Sequence, residues 1–120
     1  MATVIPAILV ETLDTFRERL ETLPSVELFS IDIMDGTFVK PTTFFDASAV
    51  AMLKSNAQFE LDLMVSNPLP IIEKWNALPN TVRAIVHAEI DADVRDVLRT
   101  IRGLGLEAGL ALLPNTTVKD

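Results

Sequence analysis

Apolar residues along this chain fall into two alternating rhythms. Short runs at residues 4–9, 28–34, 59–64, 82–87 and 106–112 read as strands. Between them lie four stretches with helical spacing. The first carries Leu13, Phe16, Leu20 and Leu23 on one stripe. The second runs from Asp46, an N-cap, to Lys54. The third opens on Asn67 as cap with Pro68 at the first helical position, and its stripe is Ile71, Ile72, Trp75 and Leu78. The fourth is capped by Asp91, with Val94, Val97, Leu98 and Ile101 on its stripe, Arg99 and Arg102 in its last turn, and Gly103 at its end. The order β-α-β-α-β-α-β-α-β predicts parallel strands joined by right-handed crossovers.

The faces of the strands narrow the choice of architecture. In the second run, Ser30, Asp32 and Met34 share one face and Phe29, Ile31 and Ile33 the other. In the third, Glu60, Asp62 and Met64 oppose Phe59, Leu61 and Leu63. A sheet covered by helices on both sides tends to be apolar on both faces. One carboxylate-bearing face fits a (βα)8 barrel, whose active sites sit at the C-terminal strand ends. The expected fold is therefore α/β: a single domain over residues 1–120, a partial TIM barrel of the form (βα)4β with parallel strands.

Composition adds an expectation about surfaces. The chain has 120 residues, 49% of them hydrophobic, and a mean hydropathy of +0.35. A domain this short buries proportionally little of its surface, so a partner surface is expected. Ten basic against 17 acidic residues give a net charge of −7. That balance argues against nucleic-acid or anionic-membrane binding. There is no cysteine, hence no disulfide, thiolate zinc site or cysteine nucleophile. The first residues lack a basic n-region and a long apolar h-region, and no run approaches the roughly 18 apolar residues of a spanning helix. A cytoplasmic location is the expectation.

The segment Ile31-Asp32-Ile33-Met34-Asp35-Gly36-Thr37-Phe38-Val39 resembles the V-D-V-M-D-G-x-F-V motif of the ribulose-phosphate 3-epimerase family. Other pieces agree in order. Ile5-Pro6-Ala7-Ile8-Leu9 resembles the opening P-S-I-L strand, and Thr43-Phe44 a T-F pair. Leu61-Asp62-Leu63-Met64 with Asn67-Pro68 resembles V-H-L-M with its downstream N-P. Val86-His87-Ala88-Glu89 resembles V-H-x-E, and Gly109-Leu110-Ala111-Leu112 with Pro114 and Thr116 resembles G-V-A-L-N-P-G-T. The resemblance implies a barrel of the ribulose-phosphate-binding type that interconverts ribulose 5-phosphate and xylulose 5-phosphate at C3. It implies two aspartates as acid and base on opposite faces of that carbon. It also implies a divalent metal (Zn, Mn, Fe or Mg), held by two His and two Asp, that stabilises the enediolate.

Carried over residue by residue, the resemblance makes Asp32 the metal-binding catalytic aspartate. Met34 and Met64 match methionines lining the pocket, and Ala7 stands at a substrate-contact serine. The metal-ligand positions are Asp32, Asp62 and Ser30, the last two standing where the family has histidines. Pro41 stands at an asparagine position. No phosphate-binding loop is expected, because none of the four glycines opens a helix. A sugar phosphate is the implied ligand.

Plainer readings stand beside these. Asp35 is expected to accept backbone N–H bonds within the Asp-Gly turn. Glu60 is expected to pair with Arg83 or another cation in the barrel floor. Asp62 reads either as a tolerated replacement near water or, with Asp32, as an oxygen-ligand site for Mg²⁺ or Mn²⁺. His87, the only histidine, shares parity with Ile85, which points it toward Asp32 and Asp62; it is read as hydrogen-bonded structure. Met34 and Met64 are most simply core, and Trp75 is packing. Five strands of eight leave the first and fifth edges open to strand pairing. That predicts a homodimer or higher homo-oligomer, or a complex with a chain supplying the missing strands. Three functions compete: an epimerase active only after assembly, a non-catalytic half-barrel that self-associates, and one subunit of a split barrel.

Overall fold

Every expected strand pairs with the one before it in sequence. The computed structural model describes residues 4–114, and Thr116 with the rest of segment 115–120 lies outside the described residues. The elements run β1 (Ala7–Ile8), α1 (Leu13–Thr22), β2 (Leu28–Met34), α2 (Ala47–Ala51), β3 (Gln58–Met64), α3 (Leu69–Asn76), β4 (Thr81–His87), α4 (Val94–Gly103) and β5 (Glu107–Ala111). One sheet of order β1-β2-β3-β4-β5 holds all five, with every pairing parallel. The chain is thus a partial TIM barrel, five parallel strands alternating with four helices.

The face parity read from sequence is the parity observed. Phe29, Ile31, Ile33, Phe59, Leu61, Leu63, Ala84 and Val86 are buried beneath the helices, which contribute Phe16, Val50, Ile72, Trp75, Val97 and Ile101. Three aromatic contacts run through this layer. Phe16 meets Phe44 and Phe59, and Phe59 meets Trp75 edge-on, each at 6.0 Å between ring centroids. The Trp75 indole N–H donates to the Phe45 carbonyl at 3.2 Å, so the ring is satisfied as well as buried. On the opposite, inner face of the sheet, Gly109 lies under Ile85. A Cβ there would come within 2.9 Å of Ile85 Cγ1, which explains a glycine inside a strand.

Several boundaries differ from the sequence expectation. β1 covers two residues rather than six. Pro6 has no N–H to give a ladder, and only its carbonyl pairs, accepting from Ser30 N at 2.8 Å. Past Ile8 the strand peels away, because the Val10 carbonyl is taken by Phe44 N at 2.7 Å. α2 stops at Ala51, three residues before Lys54, which adopts a positive φ of 53°. α3 is not capped by Asn67: the cap position is Pro68, with no side-chain hydrogen bond. α4 is capped by Asp93, which accepts from Asp96 N, rather than by Asp91. Its stop is Gly105 (φ 87°) rather than Gly103. Gly105 N donates to Arg102 O and Leu106 N to Ile101 O, the paired bonds of a Schellman motif. Leu23 falls beyond α1 and is exposed.

Candidate functional site

The strand registers sort the inner face into rows. The lower row joins Ala7, Ser30, Glu60, Arg83 and Glu107. The next joins Asp32, Asp62, Ile85 and Gly109, and above it lie Met34 and Met64, with His87 beside Ala111. The lower row is a floor and the upper two form the mouth at the C-terminal strand ends.

The floor is held by ion pairs. Arg83 donates to the buried Glu60 through Nη1, and its Nε and Nη2 reach Glu107 Oε2 at 2.9 and 2.6 Å. These bonds hold the guanidinium charge firmly, pushing its pKa up. The sequence expectation for Glu60 is met. The pairing depends on an irregularity: Phe59 pairs with Thr81 and Glu60 with Arg83, so Val82 is skipped. That bulge flips Arg83 onto the inner face.

Among the described residues no lysine or arginine pairs with the carboxylates of the mouth. Asp32 and Asp62 are register partners on neighbouring strands. Burial, and then the Asp62 charge, lift the Asp32 carboxyl to about 6. Burial also raises Asp62; His87 works against that and Glu60 adds to it. His87 is buried, with Nε2 3.5 Å from Asp62 Oδ1 and Nδ1 3.8 Å from Glu89 Oε1. Both are ion-pair distances, longer than a formed N–H···O bond. Among the described residues neither His87 nitrogen has a hydrogen-bond partner. The structure therefore places His87 beside Asp62, as its parity suggests, without the hydrogen bonds a purely structural histidine would make.

The loop after β2 is pinned over this mouth. Thr43 Oγ1 donates to the Asp32 carbonyl at 2.7 Å and accepts from Met34 N at 3.0 Å. Asp35 Oδ1 accepts from Thr37 N and Thr37 Oγ1, as expected for the Asp-Gly turn, where Gly36 has φ 85°. Thr37 Oγ1 accepts in turn from Ser66 N at 2.9 Å, tying this loop to the one after β3. The loop brings Phe38 to 5.3 Å from the His87 ring. Thr37, Phe38, Thr43 and Glu89 carry no sequence signal beyond their places in the motifs; the path of the loop gives them these contacts. Pro41 is exposed, and Ala7 sits beside Ser30 with its side chain in the open.

The implied metal can be tested against these donors. Ser30 lies one row below Asp32 and Asp62. Among the described residues no group of three or more His, Cys, Asp or Glu side chains is placed to hold a metal ion. Two carboxylates and a lower-lying hydroxyl do not fit a two-His, two-Asp centre.

Comparison with known proteins agrees with the motifs. Residues 3–120 match the model of the ribulose-phosphate 3 epimerase family. The chain is 36% identical over 103 residues to the ribulose-phosphate 3-epimerase of Chlamydia pneumoniae, covering 85% of this chain and 44% of that protein. It is 33% identical over 90 residues to the enzyme of the same name from Treponema pallidum, covering 73% of this chain and 40% of that one. With the Helicobacter pylori enzyme the identity is 28% over 115 residues, 94% of this chain and 52% of the other. The chain spans about half the length of the relatives it matches. No helix among the described residues is long and apolar enough to cross a membrane.

Proposed function

The chain belongs to the ribulose-phosphate 3-epimerase family, and from that premise we propose that it carries the acid–base half of a site that moves a proton at C3 of ribulose 5-phosphate. The observation that carries this reading is Asp32: a carboxyl at the C-terminal end of β2, raised to about 6 by burial and by Asp62. An ordinary aspartate is too weak a base at neutral pH. One titrating near 6 takes and returns a proton with comparable ease, which an epimerase needs in both directions. Asp32 removes the proton next to the carbonyl from one face, and a second acid delivers one from the other. That second group, and the phosphate contacts, come from outside these five strands.

The partner in this reading is a second copy, joined through the open edges of β1 and β5. Its support is the exposure of Val4 and Leu9 at one edge and of Leu110, Leu112 and Leu113 at the other. Light scattering on a sizing column is expected to give a dimer or larger species; a stable 13.2 kDa monomer overturns the association.

The chemistry is tested by incubating the protein with ribulose 5-phosphate in D₂O and following deuterium uptake at C3 by NMR. Uptake is expected, with Asp32→Asn reducing it by about 10³-fold or more. Uptake unchanged by that substitution overturns the role of Asp32. A second reading, a non-catalytic half-barrel, draws on the altered donors Ser30 and Asp62; it predicts no uptake in the unsubstituted chain at any oligomeric state.

A further inference from the structure

We propose that His87 is a positioning residue that holds the Asp62 carboxylate across the mouth as an acceptor for a hydroxyl of the sugar phosphate. The proposal rests on the ketose-phosphate reading above and deepens it. Asp62 stands at a position where the family resemblance implies a metal-binding histidine, and the donors around it do not fit that metal. It faces an imidazole instead. Three features fix the ring: burial, Phe38 at 5.3 Å on one side, and Glu89 Oε1 at 3.8 Å from Nδ1. Glu89 is itself anchored, because its Oε2 accepts from Leu113 N at 3.1 Å. The ring cannot readily turn, so Nε2 stays aimed at Asp62 Oδ1, 3.5 Å away.

The two Asp62 oxygens are therefore unequal. Oδ1 is fully buried toward the imidazole. The side chain as a whole keeps 32% of its surface open, so that exposure falls on its other atoms, Oδ2 among them. Asp62 and Asp32 are in register on adjacent strands, about 4.8 Å apart. On that spacing Asp32 faces the reacting carbon while Asp62 Oδ2 accepts from a hydroxyl further along the same short chain. Nε2–H donates to Oδ1, and Oδ2 accepts from the ligand. Such bonds are often long in a ligand-free site and tighten on binding. No covalent step is involved.

The first measurement is ¹⁵N NMR of the imidazole in the full chain. Nε2 is expected to carry the proton, and Asp62→Asn to shift its resonance; a resonance unmoved by Asp62→Asn overturns the pairing. The second is calorimetric titration with ribulose 5-phosphate. His87→Phe is expected to weaken binding about tenfold, the value of one hydrogen bond to a charged group, and His87→Gln, which restores an N–H near the Nε2 position, to recover most of it. Equal affinities in the unsubstituted chain and His87→Phe, or no binding by the unsubstituted chain, overturn the proposal. Binding with this pattern but without deuterium uptake at C3 strikes the acid–base reading of Asp32 alone.

Discussion

Glu60 and Asp62 stand two residues apart on one face of one strand, yet they live in different electrostatic worlds. Glu60, at the floor, is buried against Arg83, which also binds Glu107. Asp62, at the mouth, has a second carboxylate beside it and an imidazole just beyond hydrogen-bond length. Both floor carboxylates touch the Arg83 guanidinium, and their role is mechanical: they tie β3, β4 and β5 together where side chains fill the barrel base. The mouth's carboxylates touch no such guanidinium, and burial, with the Asp62 charge second, leaves Asp32 raised. A matched buried charge fixes geometry, whereas a mismatched one stores a protonation equilibrium that chemistry can use.

Breaking each region should give opposite signatures. The largest effect is kinetic: Asp32→Asn is expected to abolish measurable proton exchange at C3, as above, while leaving the fold intact. Next comes Arg83→Met, which strands the buried Glu60 carboxylate. A loss of about 2–3 kcal/mol in urea unfolding is expected. A loss below about 0.5 kcal/mol would show that the floor pair is not a strut. The third effect runs the other way. The Asp32 carboxyl rises from 3.8 to about 6 on folding, so the folded state binds the proton more tightly. Its contribution is fully present below pH 3.8, falls as pH rises through about 6, and is constant beyond. Asp32→Asn removes that penalty and should stabilise the protein by about 1–2 kcal/mol at pH 7.5, allowing for partial solvation, with no gain near pH 3.5. Thermal melts at the two pH values check this; a destabilised variant at pH 7.5 sinks the mismatch argument. The smallest effect is at Glu107, whose side chain is mostly exposed. Glu107→Gln should cost no more than about 1 kcal/mol, which sharpens the claim that the buried Glu60 arm carries the floor.

Legibility in the sequence was uneven for reasons that particular residues make clear. β2 was readable to the residue because Leu28–Met34 alternates cleanly and both faces have distinct environments. The apolar run at residues 4–9 is longer than β1, since hydropathy does not register the missing N–H of Pro6 or the Phe44 bond that claims the Val10 carbonyl. Asp91 and Asp93 have the same capping chemistry, and only the backbone path makes Asp93 the cap of α4. Gly103 and Gly105 are equally plausible stops, and only one has the left-handed φ. In the site, the motif identified Asp32 and parity turned His87 inward. That Phe38 would reach His87, or that Thr43 would bond β2, depended on a loop with no periodicity to read.

By itself the sequence determined the alternation of strands and helices, the faces of the regularly alternating strands, and the family. Those follow from periodicities of 2 and 3.6 and from short motifs, all local quantities. The tertiary structure decided which charges find partners. A single skipped residue, Val82, rotates Arg83 to the inner face and brings it to Glu60, while among the described residues nothing comparable brings a cation to Asp32. Pairing depends on strand register and on distances across the sheet, where a shift of one residue exchanges the faces. That shift is what gives the floor its cation.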